Sequence, residues 1–293
     1  LLNFIGLDCK ISKKNKTIKI INNKFSLNTV APYRLVKTMR AGVLVLGALL
    51  AKYKKAKISL PGGCAIGSRP VDLHLFVLKK LGAKIKIKNG YIYASAKQGL
   101  KGTKIRFPSI SVGATENAII AAMMAKNKTI LSNCAIEPEI LDLIKFLKKL
   151  GGNIKIQKRI ITISGNTSIN KKTTHEVMSD RIELGTYLIA AALTGQKINL
   201  LKVEPKIIKT ELKVLKKMGV KLKIFKSSIT VEKSNYIKKI NIKTQPYPGF
   251  PSDLQAQIMV LMTQAKGVSK IKENIFENRF MHVPELKRMG AKI

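Results

Sequence analysis

The sequence predicts an α/β chain built from repeated units of about seventy residues, with helices buried inside and sheets outside. Three observations carry this. Glycines at 6, 82, 151, 219 and 290 stand in versions of one segment: Ile5-Gly6-Leu7, Leu81-Gly82-Ala-Lys-Ile, Leu150-Gly151-Gly-Asn-Ile, Met218-Gly219-Val-Lys-Leu and Met289-Gly290-Ala-Lys-Ile. Their spacings are 76, 69, 68 and 71 residues. A helix precedes each of the last four, over residues 71–81, 140–150, 208–218 and 283–289, and glycine is the residue that closes a helix in the left-handed conformation. A second set, over 41–51, 114–125, 182–194 and 254–265, is small and apolar on nearly every face, which is the pattern of a buried helix.

The elements follow in order within a unit. Between inner and outer helix lies a short strand: Ala56-Lys-Ile-Ser-Leu, Thr129-Ile-Leu, Lys197-Ile-Asn-Leu and Ser269-Lys-Ile. After each of the first four glycine ends comes strand-like alternation. In Ile85-Lys-Ile-Lys-Asn-Gly-Tyr-Ile-Tyr, Asn89-Gly90 is a type I′ hairpin signal. A unit is therefore inner helix, strand, outer helix, hairpin, in a βαβ-type arrangement. The polar stretch 159–176 interrupts the pattern, so the expected domains are 1–178 and 179–293. The chain opens and closes inside a unit, and both ends read as truncated.

Composition narrows the function. The 293 residues are 45% hydrophobic, enough for substantial cores, and the longest apolar run, 41–51, is shorter than the ~20 residues of a membrane span. Three scattered cysteines, Cys9, Cys64 and Cys134, suggest neither a disulfide framework nor a zinc site. His74, His175 and His282 have no metal-ligand spacing, so no metal is expected. A cytoplasmic protein is the simplest reading. The net charge of +39 raises nucleic-acid binding, but lysine is spread through strands and outer helices, aromatics are 5%, and no basic stripe interleaves with them. A lysine-coated, solvated surface is expected instead. Arginine numbers only eight, and Arg40, Arg69, Arg181 and Arg279 stand in the motif-like stretches; its rigid fork suits phosphate or carboxylate.

The most unusual stretch is Pro61-Gly-Gly-Cys-Ala-Ile-Gly-Ser-Arg-Pro-Val-Asp-Leu-His74. Its glycines allow a sharply bent loop, and Pro70 suits a helix start. A thiol thus stands beside an arginine and a helix N-terminus, an anion-favouring position that makes Cys64 reactive. A surface turn with an incidental cysteine is the alternative. The starts of the inner helices are polar: Lys37-Thr-Met-Arg40, Ser109-Ile-Ser-Val-Gly-Ala-Thr-Glu116, Ser179-Asp-Arg-Ile-Glu183 and Pro251-Ser-Asp-Leu-Gln255. If two halves face each other, these termini line one cleft for an anionic, phosphorylated ligand. Asp253 there is either a general base for a hydroxyl or simply an N-cap. Ser179 and Asp180 can equally be caps. Glu137 and Glu139 read as first-turn acids.

These motifs, in order along nearly the whole chain, resemble the enolpyruvyl transferases, and among them the UDP-N-acetylglucosamine 1-carboxyvinyltransferases. They are the cysteine loop, Ala31-Pro-Tyr with Val36-Lys-Thr-Met-Arg-Ala41, Ser111-Val-Gly-Ala-Thr115, Glu137-Pro-Glu-Ile140, Ser179-Asp-Arg-Ile-Glu183, Phe250-Pro-Ser-Asp-Leu-Gln-Ala-Gln257 and Phe276-Glu-Asn-Arg-Phe-Met-His-Val-Pro-Glu-Leu286. The resemblance implies a two-domain inside-out α/β barrel. It implies transfer of the enolpyruvyl group of phosphoenolpyruvate to the 3′-hydroxyl of UDP-N-acetylglucosamine with release of phosphate, without cofactor, by a cytoplasmic monomer with no membrane or specific nucleic-acid partner. Carried over by motif, Cys64 is the proton donor, which also holds phosphoenolpyruvate covalently and is alkylated by fosfomycin. Arg69 meets phosphate, and Asp253 takes the hydroxyl proton. Arg40, Arg69, Pro70, Val71, Asp72, Leu73, Ser109, Ile110, Ser111, Val112, Asp253 and Ile275 match substrate contacts, with Asp180, Arg181 and Arg279 as further candidates. The family's N-terminal Lys-Asn pair and C-terminal Asp-Leu-Arg segment have no match here, so the fragment alone is expected to be inactive. The sister transferase acting on shikimate 3-phosphate would share the fold but lacks the Gly-Gly-Cys loop.

Overall fold

The structure, a computed structural model, describes residues 1–14, 17–21, 28–37, 39–62, 71–166, 171 and 173–293. Its helices are α1 (Leu2–Ile5), α2 (Tyr33–Val36), α3 (Val45–Tyr53), α4 (Asp72–Lys80), α5 (Val112–Ala122), α6 (Pro138–Lys149), α7 (Arg181–Thr194), α8 (Lys209–Lys217), α9 (Gln255–Thr263) and α10 (Val283–Arg288). The repeat is real in the backbone. Each of Gly6, Gly82, Gly151, Gly219 and Gly290 follows an outer-type helix with φ between 88° and 108°, where an L side chain is strained. Asn89 and Gly90 both have positive φ, 49° and 72°, and turn strand Lys84–Lys88 antiparallel onto Tyr91–Ser95, as the Asn-Gly signal predicts.

The chain divides into two units. Unit 1 holds residues 1–62, 71–136 and 140–175 among those described, and unit 2 holds 137–139 and 176–293. In unit 1 two four-stranded sheets repeat one design. Strand Val30–Ala31 runs parallel to Lys55–Ser59, which pairs antiparallel with Tyr91–Ser95, and Lys84–Lys88 forms the edge. Strands Lys104–Arg106, Lys128–Ser132, Ile160–Ser164 and Ile154–Gln157 repeat the order and the sense. Each parallel pair is joined through an inner helix, α3 or α5, which is the expected βαβ connection. The hairpin Asp8–Ser12 with Thr17–Ile21 stands as a separate two-stranded sheet. In unit 2 the strands Ile198–Leu201, Ser228–Glu232 and Lys221–Ile224 form one sheet, and Asn241–Lys243 runs parallel to Lys270–Lys272 beside α9.

Each unit has its own core. That of unit 1 gathers Leu46, Leu50, Leu78, Ile92, Ala118, Ile119 and Leu131, and that of unit 2 gathers Leu188, Ile208, Leu215, Ile229, Leu254 and Leu261. The inner helices are thick with alanine because they lie close together; Ala114, Ala118, Ala121 and Ala122 of α5 are all fully buried. Among the described residues no lysine is buried, which accounts for the high charge as a solvated coat. None of the described helices is long and apolar enough to cross a membrane.

The inner helices depart from expectation at their starts. The residues predicted to open the first and fourth are instead 3₁₀ turns, Arg40–Leu44 and Ser252–Leu254. Both lack a side-chain cap, with Met39 and Pro251 at the N-cap positions. The two inner helices that do have one, Ser111 for α5 and Asp180 for α7, begin as α-helix at once. Without a capping acceptor the first N–H groups are left open, and the tighter i→i+3 turn engages the carbonyls nearest to hand.

Candidate active site

Cys64, Arg69 and Pro70 lie outside the described residues. The other candidates fall into two groups, one in each unit.

In unit 1 the group forms where helix starts converge. Val71 is the buried N-cap of α4, Asp72 its first-turn acid, and Leu73 is half-buried. Ser109 and Ile110 lead to Ser111, whose Oγ accepts the Ala114 N–H at 3.3 Å. The Thr115 hydroxyl donates to the Ser111 carbonyl at 2.7 Å and accepts the Ala135 N–H at 3.1 Å, which fixes the loop before Val112. Arg40 opens the 3₁₀ turn ahead of α3. The residue that ties these starts together is one the sequence treated only as an unlikely metal ligand. His74, in the first turn of α4, is 5% exposed, and Asn117 on α5 approaches its Nδ1 at 3.1 Å. The Cε1–Nε2 edge of the ring lies over Gly113, where an added Cβ would come within 3.1 Å of Cε1 and 3.3 Å of Nε2. Asn117 also donates to the Val43 carbonyl at 3.2 Å, and its Oδ1 accepts the Gly47 N–H at 2.8 Å. A Cβ on Gly47 would fall 2.1 Å from that oxygen, so glycine is required there for the helices to meet. Burial and, after it, the positive charge of Arg40 hold the imidazole pKa down at about 4, against a smaller opposing effect of Asp72. The site thus presents helix N-termini, an arginine and a neutral imidazole, a combination suited to anionic oxygens.

In unit 2 the group centres on Asp253. It does not cap a helix: Pro251 and Leu254 hold the N-cap positions of the 3₁₀ turn and of α9. Its Oδ1 instead accepts from Arg279 Nη2 at 2.8 Å, while its side chain remains 54% exposed. Arg279 Nε donates to the Ser252 carbonyl at 3.2 Å. The Ser252 hydroxyl donates to Glu273 Oε2 at 2.8 Å, and the other oxygen of Glu273 accepts the N–H groups of Ile275 and Phe276 at 2.7 and 3.2 Å. One network therefore joins Asp253, Arg279 and Ile275, and its connecting members Ser252 and Glu273 were not foreseen. A carboxylate held by one arginine and open to solvent can accept a proton from an arriving hydroxyl.

Asp180 and Arg181 serve differently. The Asp180 carboxylate caps α7, accepting the N–H groups of Ile182 and Glu183 at 2.8 and 3.1 Å. Arg181, 8% exposed, grips Glu139 through Nε and Nη2, both at 3.1 Å, and stands 4.0 Å from buried Glu211. Glu137 accepts the Tyr247 N–H at 3.2 Å. The two glutamates thus do more than act as first-turn acids. Burial pushes the Glu211 carboxyl above its usual range, against the pull of its own backbone N–H and of Arg181. This group reads as a buried structural ion cluster.

Known proteins resemble this chain in sequence and in fold. Residues 2–293 match the family described as EPSP synthase (3-phosphoshikimate 1-carboxyvinyltransferase). A UDP-N-acetylglucosamine 1-carboxyvinyltransferase of Pelagibacter ubique (strain HTCC1062) is 60% identical over 100% of this chain and 70% of its own length. One from Rickettsia africae (strain ESF-5) is 50% identical over the same shares. Among solved structures, the enolpyruvyl transferase NikO from Streptomyces tendae superposes with a TM-score of 0.85 at 19% identity, over 98% of this chain and 68% of that one. An EPSP synthase from Acinetobacter baumannii superposes with a TM-score of 0.67, also at 19% identity, over 92% of this chain and 63% of that one. By its sequence along almost every residue, and by the fold that carries it, the chain belongs to the EPSP synthase family of enolpyruvyl transferases.

Proposed function

We propose that the chain is the enolpyruvyl-transferring polypeptide of peptidoglycan synthesis. It transfers the enolpyruvyl group of phosphoenolpyruvate to the 3′-hydroxyl of UDP-N-acetylglucosamine, releasing phosphate, in the first committed step of cell-wall formation. The observation that carries this is the 60% identity across the entire chain to a relative named for that reaction. In this reading Asp253 takes the proton of the 3′-hydroxyl as its oxygen bonds to C2 of phosphoenolpyruvate, and Cys64 protonates C3. Loss of a C3 proton and cleavage of the C–O bond to phosphate then complete the transfer. Arg69 meets the phosphate of phosphoenolpyruvate. Arg40, the backbone of residues 69–73, Ser109, Ile110, Ser111, Val112 and Ile275 hold the nucleotide-sugar. Arg279 keeps Asp253 oriented and its negative charge compensated through the 2.8 Å contact. The enzyme works in the cytoplasm as a monomer.

The test is phosphate release from phosphoenolpyruvate by this chain and by the chain completed with the segments its relatives carry beyond it. The completed chain is expected to release phosphate with UDP-N-acetylglucosamine and not with shikimate 3-phosphate, and the 293 residues alone to be inactive. Fosfomycin should label Cys64, and Cys64→Ser should abolish labelling. Release driven by shikimate 3-phosphate would overturn the reading.

A further inference from the structure

A trough of about 1290 Å³ lies in unit 2, lined by none of the residues of the candidate site. Helix α8, the turn between strands Lys221–Ile224 and Ser228–Glu232, and residues 203–206 line it. Two backbone bonds hold the turn in place. The Phe225 N–H donates to the Ser228 carbonyl at 2.9 Å, and the Val203 N–H donates to the Ser227 carbonyl at 3.1 Å. Val203, Leu212, Ile224 and Phe225 give the trough an apolar lining, and the Phe225 ring is 56% exposed. Around it stand Lys209, Lys213, Lys216 and Lys217 of α8, with Lys206 and Lys226 beside them. The single acid of the lining, Glu204, pairs with Lys206 at 3.3 Å. The other five lysines have no ion-pair partner among the described residues. Exposed apolar surface rimmed by polar groups marks an interaction site, and this rim carries one sign of charge. Unit 1 repeats the design on a smaller scale. Counted back from Gly151 and Gly219, Lys145 and Lys148 of α6 stand where Lys213 and Lys216 stand on α8. The groove there is about 510 Å³, and Gln157 holds the place of Phe225.

We propose that the trough on α8 is a docking site for an acidic amphipathic helix of another protein. Its leucine-type side chains would enter between α8 and Phe225, and its carboxylates would meet the unpaired lysines. The nine residues of α8 span about 13 Å, so two to three turns of a partner helix fill the site. A concave, apolar-lined surface is matched by side chains and not by the flat face of a lipid bilayer. A second copy of this chain is a poor occupant, because a net charge of +39 repels its like. The proposal is independent of the functional reading, since none of these residues belongs to the candidate site.

The test uses the completed chain and a fluorescent peptide of about 14 residues, with leucines on one helical face and glutamates on the others. Anisotropy at about 0.15 M salt is expected to show saturable binding that weakens as salt rises. The double variant Lys213→Glu/Lys216→Glu should weaken it at least about tenfold, and Phe225→Ser about fivefold. Lys145→Glu/Lys148→Glu, the same charge change on α6, should alter it less than about twofold. All four lysines and Phe225 are exposed, so these variants are expected to fold. A peptide with serines in place of the leucines should bind about tenfold more weakly. Equal weakening by the α6 variant overturns the proposal in favour of attraction by bulk charge. Equal binding of the serine peptide overturns it in favour of a simple polyanion. Binding to phosphatidylglycerol vesicles that depends on Phe225, without binding of the peptide, overturns it in favour of a membrane. Hydrogen exchange showing α8 and the Phe225 turn protected in the completed chain without peptide, together with no peptide binding, overturns it in favour of a segment of the chain itself.

Discussion

The two units use the starts of their inner helices in opposite electrostatic ways. In unit 1 the polar centre is uncharged: an amide, an imidazole and backbone groups satisfy one another around Asn117, and Arg40 opens the 3₁₀ turn ahead of α3. In unit 2 every arginine at the corresponding places is paired, Arg181 with Glu139 and Arg279 with Asp253. A neutral knot does not offset the field of the helix ends, whereas ion pairs do. One repeated scaffold thus carries two different polar arrangements. The difference lies in a handful of side chains rather than in the backbone.

The comparison can be broken most forcefully from the unit 2 side. Arg181→Met removes both donors to Glu139 and strands Glu211, which is 3% exposed. A loss of about 3 kcal/mol is expected, typical of a buried pair deprived of one partner. Hydrogen exchange should register it at the Ile229 amide in the unit 2 sheet and leave the Ile92 amide of unit 1 unchanged.

Acid should separate the units next. The folded His74 pKa near 4 lies below the ordinary 6.5, so the unfolded chain binds the proton more readily between these values. Its contribution is present in full above pH 6.5 and is lost as the pH falls toward 4. The interval of 6.5 − 4 = 2.5 units corresponds to about 3 kcal/mol. Glu211 works the other way. Its folded pKa is raised above 4.5, so the folded state takes up its proton first and unit 2 gains stability as the pH falls into that window. Urea denaturation between pH 7 and 4 should show unit 1 weakening relative to unit 2, and His74→Gln should flatten the unit 1 response.

The smallest expected effect concerns the glycines that let inner elements touch. A Cβ at Gly47 meets Asn117 Oδ1 at 2.1 Å and the Asn117 carbonyl at 2.8 Å; a Cβ at Gly185 meets Leu254 Cδ1 at 2.4 Å. The first obstacle is a held amide and backbone, and the second is the end of a flexible side chain. Gly47→Ala should therefore destabilise by about 2 kcal/mol and Gly185→Ala by about 1, both measured by thermal denaturation.

Much of the fold was legible in the sequence because its punctuation is local. A left-handed helix end needs glycine, so Gly82, Gly151, Gly219 and Gly290 mark the outer helices without reference to anything distant. The 3₁₀ openings at Arg40 and Ser252 were not legible, since they follow from caps that are missing rather than present. For the site, the motifs named Asp253 but left cap and base undecided. The structure excludes the cap and pairs the carboxylate with Arg279, 26 residues away. His74 and Asn117 are 43 residues apart, and Arg181 and Glu139 are 42. No local pattern reports such pairings. One signal was present for Asn117: an amide that leads straight into the apolar run Ala118–Ala122 of an inner helix needs a partner.

The glycine ends carry a consequence for how the protein varies. At Gly82 and Gly290 an added Cβ would meet nothing within 4 Å, yet φ is 94° and 92°. What excludes other residues there is chirality, not crowding. At these points the chain follows the mirror image of its own preferred geometry, and only the achiral amino acid serves both hands. Outer helices can therefore change length, charge and sequence freely between these points, while each repeat stays anchored by one position that no neighbouring substitution can compensate.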